Sequence, residues 1–251
     1  MKILFLGDTH GEFMSCVRAI DFAEEFDIDS IVQVGDFGYW PSTRKGYEFL
    51  EGVRGYLGDT EIDFYWIAGN HEDHNTLDAI LGGDPTNEPF IAHGGLVHIR
   101  SGARWEWDGV TFGALGGGYS IDRAHRTRES PSYGWFPQEV PDASLIPGIG
   151  KVDVLITHDS PIIPPPMLAS GRFFSIPESQ DCQRTVYAAL TSAQPSVLVH
   201  GHWHVKYRSG VAGTEVWGLD CNSLRHSACV YDTSVRKMCS VQEWEMTHEH
   251  E

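Results

Sequence analysis

Met1-Lys2-Ile3-Leu4-Phe5-Leu6-Gly7-Asp8-Thr9-His10 opens the chain with a short apolar run that stops at a glycine and delivers an aspartate and a histidine two positions apart. A continuous aliphatic and aromatic run bounded by Gly-Asp is the pattern of a strand covered on both faces. The pattern recurs: Ile31 to Val34 before Gly35-Asp36, Phe64 to Ala68 before Gly69-Asn70-His71-Glu72, Val152 to Thr157 before His158, and Val197 to His200 before Gly201-His202-Trp203-His204. Each polar cluster falls at a strand's carboxyl end. Ligands of open α/β sheets bind in the crevice along that edge, so these distant clusters are expected to converge on one place.

Between the first two runs, Phe13, Cys16, Val17, Ile20 and Ala23 repeat at helical spacing, which predicts a helix from about Glu12 to Phe26. A second is predicted over Glu178 to Leu190, so the order reads β, α, β, α. From Leu96 the pattern becomes antiparallel hairpins over Leu96 to Arg100, Arg104 to Trp107 and Val110 to Leu115, with turns at Ser101-Gly102 and Asp108-Gly109. Gly116 to Gly150 is rich in Gly, Pro and aromatic residues without a period and reads as a long active-site loop. Hairpins return over Val205 to Tyr231, and Met246 to Glu251 reads as a frayed tail. A single domain over 1–251 is expected at this length.

A formal net charge of −17 removes the clustered Lys and Arg that long nucleic acid demands. Two bound divalent cations would offset about four of those charges where carboxylates converge. The five cysteines, Cys16, Cys182, Cys221, Cys229 and Cys239, contain no C-x-x-C and predict neither a disulfide framework nor a thiolate zinc site, which fits a reducing cytoplasm. The first apolar run, four residues long, is too short for a signal-peptide core, and no stretch approaches the ~20 apolar residues of a membrane span. No membrane partner is expected, and the oligomeric state is left open.

Taken singly, the clusters are ordinary. Gly-Asp after a strand is often a turn, Asn70 can cap a helix beginning near Asp73, and an H-x-H among 13 histidines is commonly incidental. Together, in order and each at a strand end, they offer carboxylate, amide oxygen and imidazole nitrogen without thiolate, a donor set for Mn²⁺, Fe or Zn²⁺. If His202 and His204 lie on an extended segment, they point one way and Trp203 the other. Asp159 with Ser160-Pro161 reads as loop-shaping rather than metal-binding.

The ordered set D-x-H, G-D, G-N-H-E, H and G-H-x-H resembles the calcineurin-like metallophosphoesterases, over motifs that span Asp8 to His204. The resemblance implies an α/β fold, a four-layer α/β/β/α sandwich of two mixed sheets flanked by helices. It implies a hydrolase of phosphoester bonds with two divalent metal ions, Mn²⁺ first, with Fe, Zn²⁺ or Ni²⁺ as alternatives. Asp8, His10 and His204 would hold one ion and Asn70, His158 and His202 the other, with Asp36 bridging both. His71 and Asp36 would be the catalytic residues, His71 beside the leaving-group oxygen. Such an ion pair, about 3.5 to 4 Å apart, clamps the phosphoryl oxygens and acidifies a bridging water. Glu72 or Asp73 would fix the His71 tautomer; a helix-start charge is the other reading of Glu72.

On the substrate side, Gly116 to Arg128 carries Arg123, His125, Arg126 and Arg128 in an otherwise acidic chain. Two readings stand: a phosphate-contact loop, or surface arginines paired with residues such as Glu139 and Asp142. Tyr133, Trp135 and Phe136 would anchor that loop or stack on a base. Protein phosphatases of the family follow the bridging aspartate with an arginine-bearing G-D-x-x-D-R-G, whereas Gly35-Asp36-Phe37-Gly38-Tyr39-Trp40 lacks the arginine. A small phosphoester, nucleotide-like or cyclic and diester rather than monoester, is therefore the expected substrate. Phosphomonoesterase activity, and a non-catalytic metal-binding interaction module on the same fold, are the alternatives. A zinc protease is excluded on spacing: His71-Glu72-Asp73-His74 is not H-E-x-x-H.

Overall fold

The computed structural model describes residues 1–83, 88–93, 95–129, 134–170, 176–221 and 223–248. The chain begins β1 (Lys2–Leu6), α1 (Phe13–Glu25), β2 (Ser30–Gln33), α2 (Arg44–Leu57), β3 (Asp63–Ile67) and α3 (His74–Gly83). α2 escapes the sequence reading because Gly46, Gly52 and Gly55 dilute its helical signal. It forms because Phe49, Leu50, Val53 and Leu57 line one buried face and Thr43 caps its start, accepting the Gly46 N–H.

β4 (Phe90–His93) and β5 (Leu96–Ile99) follow, then β6 (Arg104–Trp107) and β7 (Val110–Leu115). Gly116 to Gly150 is not a bare loop, since it holds α4 (Arg123–Glu129), two 3₁₀ turns and α5 (Ile146–Ile149). Next come β8 (Val154–Thr157), α6 (Pro165–Ala169), α7 (Pro177–Ala193), β9 (Val197–His200), β10 (Tyr207–Val211) and β11 (Thr214–Gly218). α8 (Leu224–Ser227), β12 (Ala228–Asp232), β13 (Lys237–Ser240) and α9 (Val241–His248) complete the described chain. α9 takes in Met246 to His248 of the expected frayed tail, and 249–251 lie outside the described residues.

Two mixed sheets form, ordered β13-β12-β1-β2-β3-β5-β4 and β10-β11-β9-β8-β7-β6. The hairpin expected over Leu96 to Trp107 does not form. β5 lies parallel to β3, with Phe64 opposite Leu96 and Ile67 opposite Ile99, while β6 belongs to the other sheet. The physical reason is burial: Leu96, His98 and Ile99 are enclosed beside β3, and the Ser101-Gly102 turn hands the chain from one sheet to the other. The Asp108-Gly109 hairpin between β6 and β7 does form, with both residues at the positive φ that a two-residue turn needs (50° and 71°). Of the returning hairpins, β10 and β11 pair as expected, whereas β12 crosses to pair antiparallel with β1.

Period-two alternation builds the layers. Ile3 and Phe5 of β1 join Val32, Ile67, Phe112, Ile156, Val199 and Tyr231 between the sheets. Leu4 and Leu6 face the other way, against Cys16, Ile20, Phe49 and Leu50 of α1 and α2. Leu155 and Leu198 meet Val186 and Leu190 of α7 on the far side. The result is the four-layer α/β/β/α sandwich. Among the described residues, no helix is long and apolar enough to cross a membrane.

Candidate metal centre

β1, β2 and β3 are parallel neighbours whose ends align, Leu6 opposite Gln33 and Gln33 opposite Trp66, so Asp8, Asp36 and Asn70 leave the first sheet side by side. β8 and β9, likewise parallel, present His158 and His202 from the second. The loops interlock so tightly that glycine is required beside the polar residues. A Cβ on Gly69 would strike the Asp36 carboxylate, and one on Gly201 the Asp8 carboxylate.

Two clusters result, Asp8 with His10 and His204, and Asp36 with His158 and His202, the donor atoms of each lying within 4.8 Å of one another. In the first, His204 Nε2 lies 2.9 Å from Asp8 Oδ2 and 3.0 Å from His10 Nε2. In the second, His158 Nε2 lies 3.3 Å from Asp36 Oδ1 and 3.0 Å from Asn70 Oδ1. Asp36 Oδ2 is 3.9 Å from His10 Nδ1, so this carboxylate faces both clusters.

His10, Asp36, His202 and His204 all occupy left-handed backbone, at φ 48°, 54°, 66° and 47°. Each costs about 1–3 kcal/mol, which the surrounding hydrogen bonds must offset. For Asp36 these include its own carbonyl, which accepts from the Thr9 and His10 amides. His202 and His204 therefore do not lie on an extended segment. The chain coils past β9, and Trp203 points its Nε1 at Asp159 Oδ1, 2.7 Å away.

A family model of the calcineurin-like phosphoesterases matches residues 1–206. The chain belongs to that family. Among solved structures, this phosphoesterase is similar to a protein from Thermus thermophilus (TM-score 0.55, 11% identity, 95% of this chain and 97% of that one). It is also similar to a dimetal phosphatase from Danio rerio (TM-score 0.51, 13% identity, 92% and 91%). A putative 5′-nucleotidase from Staphylococcus aureus gives a TM-score of 0.52 at 12% identity, over 96% of this chain and 53% of that one. At such identities the likeness is one of fold. None of the curated proteins matches in sequence.

The side chains of the phosphoesterase fit the metal pair that its family uses. His158 Nδ1 lies 3.0 Å from the Val34 carbonyl oxygen and donates to it, which leaves Nε2 facing two acceptor oxygens, Asn70 Oδ1 and Asp36 Oδ1. Acceptors so arranged call for positive charge among them, from a metal ion or, in its absence, a proton. Burial by itself disfavours a charged His158, yet Asp36 and Asp8 push it up to about 10. Burial likewise opposes ionisation of Asp36, but His158 holds that carboxyl well below the usual range. In the first cluster, burial lowers His10, whereas the hydrogen bond to Asp8 raises His204. Nitrogen and oxygen donors of this kind suit a hard or borderline divalent cation.

His71 sits between the metal clusters and a cleft of about 670 Å³ lined by His10, Trp40, Thr43, Arg44, Lys45 and Phe49 among others. Its backbone is pinned at both ends: the amide donates to Asp36 Oδ1 (2.8 Å), and its carbonyl accepts from Trp40 Nε1 (2.7 Å). Glu72 and Asp73 are engaged elsewhere. The Glu72 carboxylate accepts the amides of Gly38 (3.3 Å) and Gly69 (2.6 Å), stitching two motifs together; burial, then Asp36, push it up to about 8. Asp73 caps α3 through the Thr76 amide and hydroxyl and also accepts from Ser42. His74, kept neutral by burial at about 4, donates Nε2–H to the Gly69 carbonyl at 3.1 Å and braces the same loop.

The arginine-rich segment is only partly turned to solvent. Arg123 lies 3.7 Å over the Trp135 ring, and His125 is exposed. Arg126 is 12% exposed and held by Glu139 and Asp122. The Arg128 side chain and Tyr133 lie outside the described residues. Glu139 pairs with Arg126 as the second reading of this segment had it, whereas buried Ser120 carries no local sequence signal because its partner Asn70 lies 50 residues away.

Proposed function

We propose that this phosphoesterase hydrolyses small nucleotide-like or cyclic phosphodiesters, with Asp8, His10 and His204 holding one divalent cation, Asn70, His158 and His202 a second, and Asp36 shared. The bound pair, Mn²⁺ first, supplies Lewis acidity to the phosphoryl oxygens and lowers the pKa of the attacking water. Asp36 offers one oxygen to each cluster, and the pinned backbone of His71 holds its imidazole at the mouth of the cleft. There an imidazole N–H meets the leaving oxygen and hands over a proton or stabilises its charge.

The observation that carries the diester reading is the cleft itself. It begins at His10 and His71 and continues between Trp40, Phe49 and the first turn of α2, giving a second ester arm somewhere to lie. Where the protein phosphatases of the family place a phosphate-gripping arginine, this chain has Trp40, which lines the cleft and donates its Nε1–H to the His71 carbonyl. The test is elemental analysis of the purified protein together with Mn²⁺-dependent hydrolysis of an aryl phosphodiester and its matching monoester. About two metal ions per chain and diester preference are expected. Monoester preference would favour a phosphatase, and an inactive, metal-free protein a binding module.

Arg44 pairs with Glu48, whereas Lys45 presents an exposed ammonium at the cleft. Lys45→Glu is expected to raise KM roughly tenfold for a diester whose leaving arm carries a further phosphate. The KM for an uncharged aryl diester should barely move. Equal shifts for the two substrates would return Lys45 to ordinary surface.

A further inference from the structure

We propose that Arg126, Glu139 and Ser120 form a positioning relay that fixes the amide of Asn70 with its oxygen towards the second metal cluster. The inference rests on the two-metal reading above and concerns residues outside the ligand set.

The direction of the relay follows from what each group can donate. Glu139 is fully buried and paired at both oxygens with the Arg126 guanidinium, Nη1 to Oε1 at 2.9 Å and Nη2 to Oε2 at 2.6 Å. A carboxylate so paired only accepts. Oε1 also takes the Phe136 amide at 3.0 Å, and Oε2 the hydroxyl of Ser120. With its one proton committed to Glu139, the Ser120 oxygen can only accept from Asn70, whose Nδ2 lies 2.9 Å away. The carbonyl end of that amide is thereby turned to His158 Nε2 and the second cluster. Reversed, the same amide would aim its NH₂ at the cation.

Backbone contacts hold the relay against the site. The Gly118 amide donates to the Glu139 carbonyl (2.7 Å) and the Gly117 amide to that of Ala68 (3.0 Å). Gly118 passes so near the His202 ring that an added Cβ would lie 3.1 Å from it. Arg126 is itself steadied from α4's own start, donating Nε–H to Asp122 Oδ1 at 2.9 Å. The Gly116 to Gly150 segment thus reaches the metal centre through Asn70, with a buried ion pair at its root. Asp8, His10 and His204 have no contact with the relay among the bonds of the described residues.

The test is Mn²⁺ titration of the full chain, with uptake followed by calorimetry and the spin-coupled Mn pair by electron paramagnetic resonance. Ser120→Ala, the smallest truncation, is expected to weaken the second Mn²⁺ roughly tenfold and diminish the coupled signal, leaving the first ion's affinity unchanged. In an Asn70→Asp background the carboxylate presents an oxygen whichever way it turns, so Ser120→Ala should cost nothing further. Unchanged affinity in Ser120→Ala, equal weakening of both ions, or the same loss in the Asn70→Asp background would each overturn the relay. Wild-type protein taking up fewer than two Mn²⁺ would overturn the two-metal reading and the relay with it.

Discussion

Asp36→Asn is expected to lower turnover by at least about 10³-fold and to cut the metal content of the purified protein. The substitution keeps shape and, because asparagine tolerates the left-handed backbone observed at φ 54°, leaves the β2 turn intact. What it removes is the charge. Asp36 is 2% exposed, and its oxygens reach His158 at 3.3 Å on one side and His10 at 3.9 Å on the other, so one carboxylate faces both clusters. A neutral amide would place an NH₂ on one side and strip the site of the charge that offsets two dications. The checks are metal stoichiometry and kcat on the aryl diester. An Asp36→Asn protein that keeps both ions and normal turnover would remove the shared-ligand assignment.

His71→Ala should do the reverse, keeping both ions while slowing kcat by roughly 10²- to 10⁴-fold. His71 lines the cleft rather than either donor cluster, and its backbone amide, unaffected by the change, still donates to Asp36. The size of the loss should depend on the leaving group. An alkoxide must receive a proton as it departs, whereas a nitrophenolate leaves without one, so an alkyl diester should suffer much more than an aryl one. Equal losses on the two substrates would point to a role in orientation instead of proton delivery.

Sequence and structure divide the protein between them in an intelligible way. The buried strands at Ile3 to Leu6, Ile31 to Val34 and Val197 to His200 were legible because apolar runs ended by glycine are a local signal, and the polar residues directly after them had to sit at strand ends. The same pattern, with the runs before Asn70 and His158, placed Asp8, Asp36, Asn70, His158, His202 and His204 at strand ends, and the structure brings them together from two facing sheets rather than along the edge of one. Other features depended on the assembled sandwich. β5 chose β3 over β6 because burial beside a parallel neighbour outweighed a short turn, a comparison no local pattern contains. His202 and His204 entered left-handed backbone because the crowded loops, with Asp8 beneath Gly201, left no room for an extended path.

The polar supports were hidden for a related reason. Glu72 and Asp73 follow His71 directly, so adjacency made them look like its partners. In the fold they turn to the Gly38 and Gly69 amides and to the α3 N-terminus. For Arg126 the sequence left a phosphate grip and a pairing with Glu139 equally open, and packing gave it Glu139. By itself the sequence determined the strand ends, the donor types and their order, since these depend on residues a few positions apart. Which way an amide turns, which carboxylate meets which imidazole and which sheet a strand joins were decided only by tertiary structure. Hydrogen-bond direction and charge pairing act across a few ångströms of space between residues as far apart as Asn70 and Ser120.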